Sequence, residues 1–494
     1  MGGKASIVVP GKYRQLLAAI IANLSGLAYG MVIGWQSPVT ADLQSENNPM
    51  GSAPMTHEAT SWLSGVMCLS GTFATLFIGM ATKKFDRKIT GFSIAIPYCI
   101  SWLLTVFASN QTHLFIGRFF AGIGGAITIF IIPAYVSEIA SDHIRGMLGS
   151  LLVFALNLGI LVSYILGAFL SFHAFALVGL AVPLLYLAMF IFMPESPVYL
   201  IRHNRPHEAA RSLMWLRGGH SATVEQDIVK IQAEMKESHN AKSVKLSDLF
   251  RDRGTIKGLI ITLGLFGGQQ LCGIFAMINY TEMIFRISGS TLSPNMAAIT
   301  IGAIQVVGSY LSTSLMERMG RRLLLLISCL GMCFCHYILG TFCLLQKQEF
   351  NLDDFGWVPV VSLSMFIICY CLGMGPGPYV VTSEIFSRDI SGMATTAGLL
   401  FVWIMAFFVG KFFPNMVLLL GIDGCFFLLG TFCAGNFLFT LLLIPETKGR
   451  PRQDILDELN GVSRTFTEKM YVSARCQNCM KLCTKKPLVP QSSE

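Results

Sequence analysis

The chain has 494 residues, of which 53% are hydrophobic and only 13% are charged, and its formal net charge is +8. These proportions exclude an ordinary water-soluble enzyme of this length, because such proteins carry about 25% charged residues. Apolar runs of about 20 residues, the length that a helix needs to cross hydrocarbon, recur along the whole chain and predict a membrane protein.

The first apolar run covers about residues 15–35 and follows Lys4, Lys12 and Arg14. A secretory signal peptide also begins with basic residues, but its apolar core has only about 7–15 residues. We therefore interpret this run as the first transmembrane helix rather than as a cleaved signal.

Twelve candidate spans lie in two blocks of six. They cover residues 15–37, 60–82, 89–108, 113–138, 146–170 and 172–193, then 257–285, 293–317, 321–345, 356–386, 390–415 and 419–445. The polar stretch between the blocks has apolar residues at helical spacing, which is typical of short amphipathic helices on a membrane surface. The predicted organisation is two six-helix halves with a linking loop and a tail: 1–193, 194–256, 257–445 and 446–494.

The distribution of basic residues predicts that both chain termini lie in the cytosol. With that orientation only four of the 36 Lys and Arg residues fall near outer ends: Arg118, Arg286, Lys347 and Lys411. The first outer loop, 40–58, contains neither Lys nor Arg. This asymmetry is the positive-inside pattern. It accounts for the net charge, so we expect no nucleic-acid partner.

Three charged motifs recur in the same order in both halves, which indicates a duplicated six-helix unit, the usual construction of secondary transporters. The first is a basic cluster, the second a carboxylate, and the third a Pro-Glu pair followed by a hydroxyl residue. In the N-terminal half they are Asp86-Arg87-Lys88, Glu138 and Pro194-Glu195-Ser196. In the C-terminal half they are Glu317-Arg318 with Arg321-Arg322, Glu384 and Pro445-Glu446-Thr447.

Charged residues at the inner ends are candidates for a gate. Ionised groups at a membrane boundary are costly unless they are paired or hydrated. We expect salt bridges there to hold the two halves together and to break when the cytosolic side opens. Simple anchoring of the topology is the alternative, although acids contribute little to anchoring. The candidate gating residues are Arg87, Glu138, Arg145, Glu195, Glu317, Arg321, Arg322, Glu384 and Glu446.

The combined motifs resemble the sugar porter family of the major facilitator superfamily over nearly the whole chain. They include Gly117-Arg118, Arg145-Gly146, Pro194-Glu195-Ser196-Pro197, Gln269-Gln270-Leu271, Gly375-Pro376 and Pro445-Glu446-Thr447. Asn157 before Gly159, together with Trp215-Leu216-Arg217-Gly218, looks most like the insect facilitated trehalose transporter-like branch. The resemblance implies an all-α membrane protein with the twelve-helix major facilitator fold, which works by alternating access.

Side-chain amides suit a sugar site because each supplies both a donor and an acceptor to an uncharged ligand. Gln269 and Gln270 are adjacent in the seventh span, and Tyr280, eleven residues after Gln269, falls nearly on the same helical face. Gln305 adds an amide in the eighth span and Asn157 one in the fifth. The resemblance implies sugar binding by Gln269, Gln270 and Gln305. For Asn157, a hydrogen bond between helices is an equally good interpretation.

Aromatic residues and a Gly-Pro run complete the candidate site. Tyr379 stands where the family usually has Trp, and Trp403 matches an inward Trp of the eleventh span. Residues 373–378 interrupt the tenth helix, because Pro lacks an N–H and Gly relaxes the limits on φ. We interpret this run as a flexible joint at the binding cavity; a static kink is the alternative.

Several positions depart from the family pattern and bear on substrate and coupling. Phe275 and Asn279 stand where an Asn and an aromatic residue are usual, so Asn279 joins the candidate sugar ligands. Val153 stands where many relatives have a Gln, Cys371 where Glu is frequent, and Val402 where Asn is common. Ser391 replaces a usual Arg, and Arg388 is a candidate substitute for that Arg. Val32 stands where proton-coupled relatives have an acid, which favours facilitated diffusion. Glu282 and Asp423 are the residual candidates for proton coupling.

The sequence therefore predicts a facilitative carrier of a hexose or a disaccharide such as trehalose, in the plasma membrane and functional as a monomer. A sugar sensor that does not transport and a proton-coupled symporter are the alternatives. We expect no enzymatic activity, cofactor or metal. Most of the 14 cysteines lie in apolar segments and are expected to pack there. Cys476, Cys479 and Cys483 are interpreted as reduced thiols, with metal binding or acylation as alternatives.

Overall fold

The computed structural model describes residues 10–84, 86–239 and 246–461, and within these ranges the chain is helical with no strand. The all-α prediction is confirmed. The first half comprises α1 (Lys12–Gly34), α2 (Gln36–Leu43), α3 (His57–Lys84), α4 (Arg87–Val106), α5 (Gln111–Ile139), α6 (Arg145–Phe169) and α7 (Phe172–Phe190). Three short helices follow: α8 (Pro197–Arg202), α9 (Pro206–Leu216) and α10 (Ser221–His239).

The second half mirrors the first. It comprises α11 (Arg253–Leu271), α12 (Ile274–Asn279), α13 (Thr281–Ile287), α14 (Pro294–Met319), α15 (Arg321–Lys347), α16 (Val358–Cys369), α17 (Gly377–Ile385) and α18 (Arg388–Leu443). A last helix, α19 (Arg452–Asn460), lies in the predicted tail. It packs on α11, where Asn460 Oδ1 accepts a hydrogen bond from the Gly254 N–H at 2.6 Å.

Eleven apolar helical segments of the described chain are long enough to cross a membrane. The last of them, Asp389–Leu443, has 55 residues. At 1.5 Å per residue this is about 80 Å, more than twice the thickness of a hydrocarbon core. The helix breaks at Gly421, whose φ of 76° is left-handed. We therefore count this segment as two spans, which makes twelve.

Close backbone approach holds the first half together. A Cβ atom on Gly30 of α1 would lie 1.9 Å from the carbonyl oxygen of Leu156, and one on Gly159 of α6 would lie 2.2 Å from that of Leu27. Only glycine allows α1 and α6 to touch in this way, as small residues do at many membrane helix interfaces.

The two halves meet along a seam, by which we mean the contacts of α3 with α18 and with Tyr280, and those of α6 with α12 and α14. Lys411 Nζ donates to Ser61 Oγ at 2.8 Å, and Tyr164 OH donates to the Ile278 carbonyl at 2.7 Å. These bonds lie toward the membrane face opposite the chain termini. They hold the two halves closed on that side.

On the face that carries the termini, α6 is open instead. A Cβ atom added to Gly146 or Gly149 would meet nothing within 4 Å, and Val153 is 50% exposed. One turn further along, Asn157 is 4% exposed and Ile160 is fully buried. The surface of α6 that faces α14 is therefore uncovered toward the face of the termini and covered from Asn157 onward, and we interpret the uncovered part as a cavity that opens toward that face.

Candidate functional site

Gln269 and Gln270 lie at the end of α11, next to a break in the seventh span. Gly273 has a φ of 87° and separates α11 from α12. Gln269 Nε2 donates to the carbonyls of Met374 and Gly375, at 3.1 and 2.7 Å. Gln269 therefore ties the broken seventh span to the broken tenth. Gln270 is 7% exposed, and its Oε1 has no hydrogen-bond partner among the described residues.

Gln305 of α14 and Asn157 of α6 meet across the seam. Gln305 Nε2 donates to Asn157 Oδ1 at 3.0 Å, and the two side chains are 3% and 4% exposed. A hydrogen bond between helices, one of the two interpretations of Asn157, is therefore present, and it joins the two halves. Gln305 Oε1 has no partner within the described chain.

Asn279 and Tyr280 follow the break at Gly273, and neither contacts the carbonyls that Gln269 binds. Asn279 Nδ2 donates to the Phe275 carbonyl at 2.8 Å in its own short helix. Tyr280 OH donates to the Gly410 carbonyl at 2.8 Å and lies 3.3 Å from Ser64 Oγ, so it belongs to the seam. The inference that Tyr280 shares a face with Gln269 is wrong, because it assumed a continuous helix and Gly273 interrupts the helical phase.

The two candidate aromatic residues differ in exposure. Tyr379 of α17 is 38% exposed, and its ring meets that of Phe266 edge-on with centroids 4.9 Å apart. Trp403 of α18 is 4% exposed and packs over Gly71 of α3, with the Tyr29 ring 6.4 Å away. Tyr379 is thus partly exposed, whereas Trp403 lies within the closed seam.

The tenth span is interrupted as predicted. A π-helical turn, Tyr370–Met374, separates α16 from α17. Gly373 packs so tightly on α15 that a Cβ atom would lie 2.3 Å from the Leu324 carbonyl oxygen. The Met374 N–H donates to Ser328 Oγ at 3.1 Å. The interruption is at the cavity, and its movement remains a prediction.

The inner charges of the first half pair within that half. Arg87 Nη2 lies 3.1 Å from Glu138 Oε1. Glu195 accepts the backbone N–H groups of Lys88 and Ser196, at 2.9 and 2.8 Å, so it caps the start of α4. Burial raises the pKa of Glu195, and these two hydrogen bonds oppose that shift.

The second half repeats this arrangement. Arg321 Nη2 lies 3.0 Å from Glu384 Oε1, and Glu446 accepts the N–H groups of Arg321 and Arg322 at 3.1 and 3.2 Å. Glu446 therefore caps α15 as Glu195 caps α4. The recurring motifs thus have the same structural role in each half. The side chains of Glu317 and Arg388 lie outside the described part of the structure.

Arg145 pairs with a residue that the sequence analysis did not single out. Arg145 Nη2 lies 2.9 Å from Asp142 Oδ1, and Lys230 Nζ of α10 also donates to Asp142. These cations hold the pKa of Asp142 below its ordinary value, the hydrogen bond from Lys230 contributing most. Arg217 binds Asp227 at 2.7 Å and the Ile139 carbonyl at 3.0 Å. The short helices are thereby fastened to the inner end of α5.

Two cations that the sequence places near outer ends are buried. Arg118 of α5 is 4% exposed, and it donates to Gln36 Oε1 at 2.9 Å and to the Val32 carbonyl at 2.6 Å. Lys411 is 5% exposed, with its Nζ 4.8 Å from the centre of the Trp62 ring. An ionisable residue inside a membrane span indicates a functional site by default. The sequence alone already placed both residues within predicted spans.

The acids weighed for proton coupling are engaged in ion pairs. Glu282 Oε1 lies 3.0 Å from Arg286 Nη2, and Asp423 Oδ1 lies 3.6 Å from Lys347 Nζ. Both pairs lie toward the face opposite the termini. Neither acid is in the first span.

Cysteine residues of the described chain pack as the sequence predicts, and His336 packs in the same way. Eleven cysteines of the described chain are free and mostly buried. His336 is fully buried beside Phe366 and Phe426, with its Nε2 2.9 Å from the Cys272 carbonyl oxygen. The described residues contain no group of three or more potential ligands that could hold a metal ion. Cys476, Cys479 and Cys483 lie outside the described ranges.

Comparisons with known proteins agree with this architecture. A family profile described as sugar (and other) transporter matches residues 18–458. The facilitated trehalose transporter Tret1 of Anopheles gambiae is 31% identical over 456 residues, which are 92% of this chain and 57% of that protein. Tret1 of Apis mellifera ligustica is 32% identical over 451 residues, 91% of this chain and 89% of that protein. The chain thus spans little more than half the length of the Anopheles relative.

Solved structures with a similar fold include two of the xylose transporter XylE from E. coli. Its inward-open conformation has a TM-score of 0.73 at 21% identity, covering 88% of this chain and 98% of that one. A structure of the proton:xylose symporter XylE bound to 6-bromo-6-deoxy-D-glucose has a TM-score of 0.72 at 21% identity, covering 90% and 99%. At this identity the likeness shows the fold, which is that of the major facilitator superfamily.

Proposed function

This chain belongs to the sugar (and other) transporter family of the major facilitator superfamily, and we propose that it carries a hexose or a disaccharide such as trehalose by facilitated diffusion. It is a multi-pass protein of the plasma membrane and not an enzyme. In the proposal the chain works as a monomer, with its termini in the cytosol. The trehalose transporters among its relatives support a sugar as the substrate.

The buried amides at the closed end of the cavity carry this proposal. Gln270 and Gln305 each keep a buried amide oxygen without a partner in the described structure, and Gln305 bonds Asn157, where the cavity ends. A buried acceptor without a partner costs about 1–3 kcal/mol, and a sugar hydroxyl would remove that cost. Tyr379, which is partly exposed, would supply an apolar face for the sugar ring. Gln269 would act by holding the two broken helices together.

Alternating access would use the two ends of the molecule in turn. The seam on the face opposite the termini is held by neutral hydrogen-bond acceptors, such as Ser61 Oγ and the Ile278 carbonyl. Sugar would enter or leave through the open face and then the seam would separate. On closure of the inner face, the charged residues Arg145, Arg321 and Glu384 would meet the other half. That role in gating is part of the proposal.

Facilitated diffusion is favoured over proton coupling by the surroundings of Arg118. Its guanidinium is satisfied by neutral groups, namely the Val32 and Leu63 carbonyls and Gln36 Oε1. A proton carrier needs a titratable group in the pathway, and the first span contains no Asp or Glu. Symport is the second candidate, because one protein of similar fold is a proton:xylose symporter. Glu282 and Asp423 are the acids available to it.

The test is uptake by purified protein in proteoliposomes. Glucose, fructose, trehalose and polyols are supplied with and without a pH gradient, and counterflow is measured for each. Protein-free liposomes are the control for leak. The proposal expects saturable counterflow of at least one sugar. In net uptake, that sugar should not accumulate above equilibrium, with or without the pH gradient. Accumulation driven by the pH gradient would establish symport instead, and the absence of counterflow for every sugar would refute transport.

A further inference from the structure

The break in the seventh span leaves one backbone carbonyl that its own helix does not use. The φ of Gly273 is 87°, about 150° from the helical value. In a continuous helix, the Cys272 carbonyl would accept the N–H of Ala276, four residues further on. Within the described chain no backbone N–H donates to this carbonyl, although the Met277 N–H does reach the Gly273 carbonyl at 2.8 Å. Cys272 is 1% exposed, so its carbonyl requires a partner inside the protein.

His336 of α15 is that partner. Its Nε2 lies 2.9 Å from the Cys272 carbonyl oxygen. A carbonyl can only accept, so Nε2 carries a proton and donates it. The imidazole therefore takes the place of the helical N–H that the break removes. The same helix serves the break in the tenth span, where Ser328 Oγ accepts the Met374 N–H.

Packing alone does not account for a histidine at this position. His336 is fully buried, and its Nδ1 has no hydrogen-bond partner among the described residues. The ring lies against Phe366 and Phe426, with centroids 4.6 and 5.9 Å away. A phenylalanine would suit these surroundings without burying an unpartnered nitrogen, which is unfavourable. What phenylalanine lacks is the N–H that the Cys272 carbonyl accepts.

The break also decides where the following residues meet the first half. Tyr164 OH donates to the Ile278 carbonyl at 2.7 Å, and Tyr280 OH lies 3.3 Å from Ser64 Oγ. A helix that continued through Gly273 would turn Ile278 and Tyr280 away from these partners, because the helical phase would change. The broken form of the seventh span therefore belongs to the closed seam.

We propose that His336 is a positioning residue that holds the seventh span in its broken form and thereby stabilises the closed seam against the separated one. This inference rests on alternating access, which is part of the proposed function. His336 is not a sugar ligand and acts through the Cys272 carbonyl. Without the imidazole N–H, that carbonyl regains a donor only if the helix becomes continuous through Gly273. That change releases the contacts of Ile278 and Tyr280 in the seam.

The first experiment follows both ends of the molecule with membrane-impermeant maleimides and requires no sugar. Ala406→Cys reports on the seam, because Ala406 is 3% exposed and lies about one turn from both Trp403 and Gly410, which pack against α3. Val153→Cys reports on the open face, where Val153 is 50% exposed. Labelling at each reporter is quantified by peptide mass spectrometry, which separates it from labelling of the native cysteines.

Removal of the imidazole N–H should move the two reporters differently. In His336→Phe, labelling at residue 406 should rise about tenfold, because a lost hydrogen bond corresponds to about a factor of ten. Labelling at residue 153 should not rise, because separation of the seam closes the other face. His336→Leu, a second side chain without a donor, should act in the same direction and serves if His336→Phe does not fold. His336→Gln keeps an N–H donor and should label as the reporter alone does.

The matched control is Tyr337→Phe, on the neighbouring position of α15. It removes the hydrogen bond between Tyr337 OH and Thr431 Oγ1, which does not involve the seventh span. Labelling at both reporters should therefore stay unchanged. An equal rise at residue 406 in Tyr337→Phe would show that any lost bond of α15 loosens the seam, and would overturn the inference.

The second experiment perturbs the break from the backbone. Alanine rarely adopts the left-handed φ of Gly273, so Gly273→Ala disfavours the same broken form. It should reproduce the pattern of His336→Phe, with faster labelling at residue 406 and no rise at residue 153. Unchanged labelling at residue 406 in a folded Gly273→Ala protein would disconnect the break from the seam and overturn the inference.

The remaining outcomes for His336 also decide the matter. Unchanged labelling in His336→Phe, or an equal rise in His336→Gln, means that the N–H has no part in the closed seam. A rise at both reporters means that the protein has only loosened, as the loss of a purely structural residue would cause. Each of these results overturns the inference. Absence of counterflow for every sugar, with the labelling pattern intact, would instead refute the proposed function and leave the role of His336 standing.

Discussion

The contact between Gly71 of α3 and Trp403 of α18 makes the closed seam sensitive to a single methyl group. In Gly71→Ala, the new Cβ would lie 2.7–2.9 Å from three carbon atoms of the Trp403 ring. Non-bonded carbon atoms prefer separations of about 3.5–4.0 Å. The ring or the helix must therefore move by about 0.8 Å. Because Trp403 is 4% exposed and enclosed by the seam, the movement has to separate α3 from α18.

Overpacking of this kind costs about 1–3 kcal/mol. Alanine also stabilises a helix over glycine by about 0.5–1 kcal/mol, but that gain applies whether the seam is closed or open, so it cancels from the equilibrium between the two. The remaining 1–3 kcal/mol corresponds to a shift of about 5- to 150-fold toward the arrangement with a separated seam. By alternating access, the face that carries the termini should then close.

Cysteine labelling measures this shift. Val153→Cys places a thiol at a position that is 50% exposed in the open cavity, and a membrane-impermeant maleimide is added to the face that carries the termini. Labelling should be slower in Gly71→Ala than in the reporter alone. Gly392→Ala is the control, since its Cβ would meet nothing within 4 Å. An unchanged labelling rate in a folded Gly71→Ala protein would refute the reasoning.

Three further predictions concern charges. Lys411→Met removes an ammonium whose contacts, among the described residues, are Ser61 Oγ and aromatic rings. It should stabilise the closed seam, because apolar replacement of buried charges often gains about 1–4 kcal/mol. Faster labelling of the face opposite the termini would contradict this. Glu446→Ala removes the acceptor for two N–H groups at the start of α15. It should lower the free energy of unfolding by about 0.5–2 kcal/mol, measured by thermal unfolding. An unchanged Tm would count against the capping role. The pKa of Asp142 is lowered in the folded protein from its ordinary value of 3.8. Its ion pairs therefore stabilise α10 at every pH above that value, and they are lost only as the pH falls below it. Hydrogen exchange in α10 should therefore show no loss of protection between about pH 8 and pH 5, beyond the intrinsic rate change, whereas Asp142→Asn should lose protection even near neutral pH.

The recurring motifs show how far sequence reasoning reached for the charged residues. Their order in the two halves predicted a duplicated unit, and Glu195 and Glu446 cap equivalent helices. The expectation that inner salt bridges join the halves stays a prediction. The pairs Arg87–Glu138 and Arg321–Glu384 each lie within one half in this open arrangement. Which partner an Arg takes depends on the conformation, and one sequence serves both conformations.

The amides show where local patterns stop being informative. The sequence placed Gln269, Gln270 and Gln305 in membrane spans, where a buried amide requires a partner or a ligand. It could not tell which of them the protein itself satisfies. Gln269 is used by the broken tenth helix, while Gln270 keeps an unpartnered oxygen. Hydrogen bonding between residues more than 100 positions apart is decided by the packing of helices.

By itself, the sequence determined the membrane class, the family and the interruption of the tenth span, because hydropathy, charge asymmetry and Gly-Pro chemistry act over short stretches of chain. The tertiary structure alone decided the break at Gly273, since a glycine permits a left-handed φ without requiring it. It also decided that Tyr280 lies in the seam and that the amides of Asn157 and Gln305 bond each other across it. Those positions follow from how two six-helix halves meet, and no local sequence pattern encodes that contact.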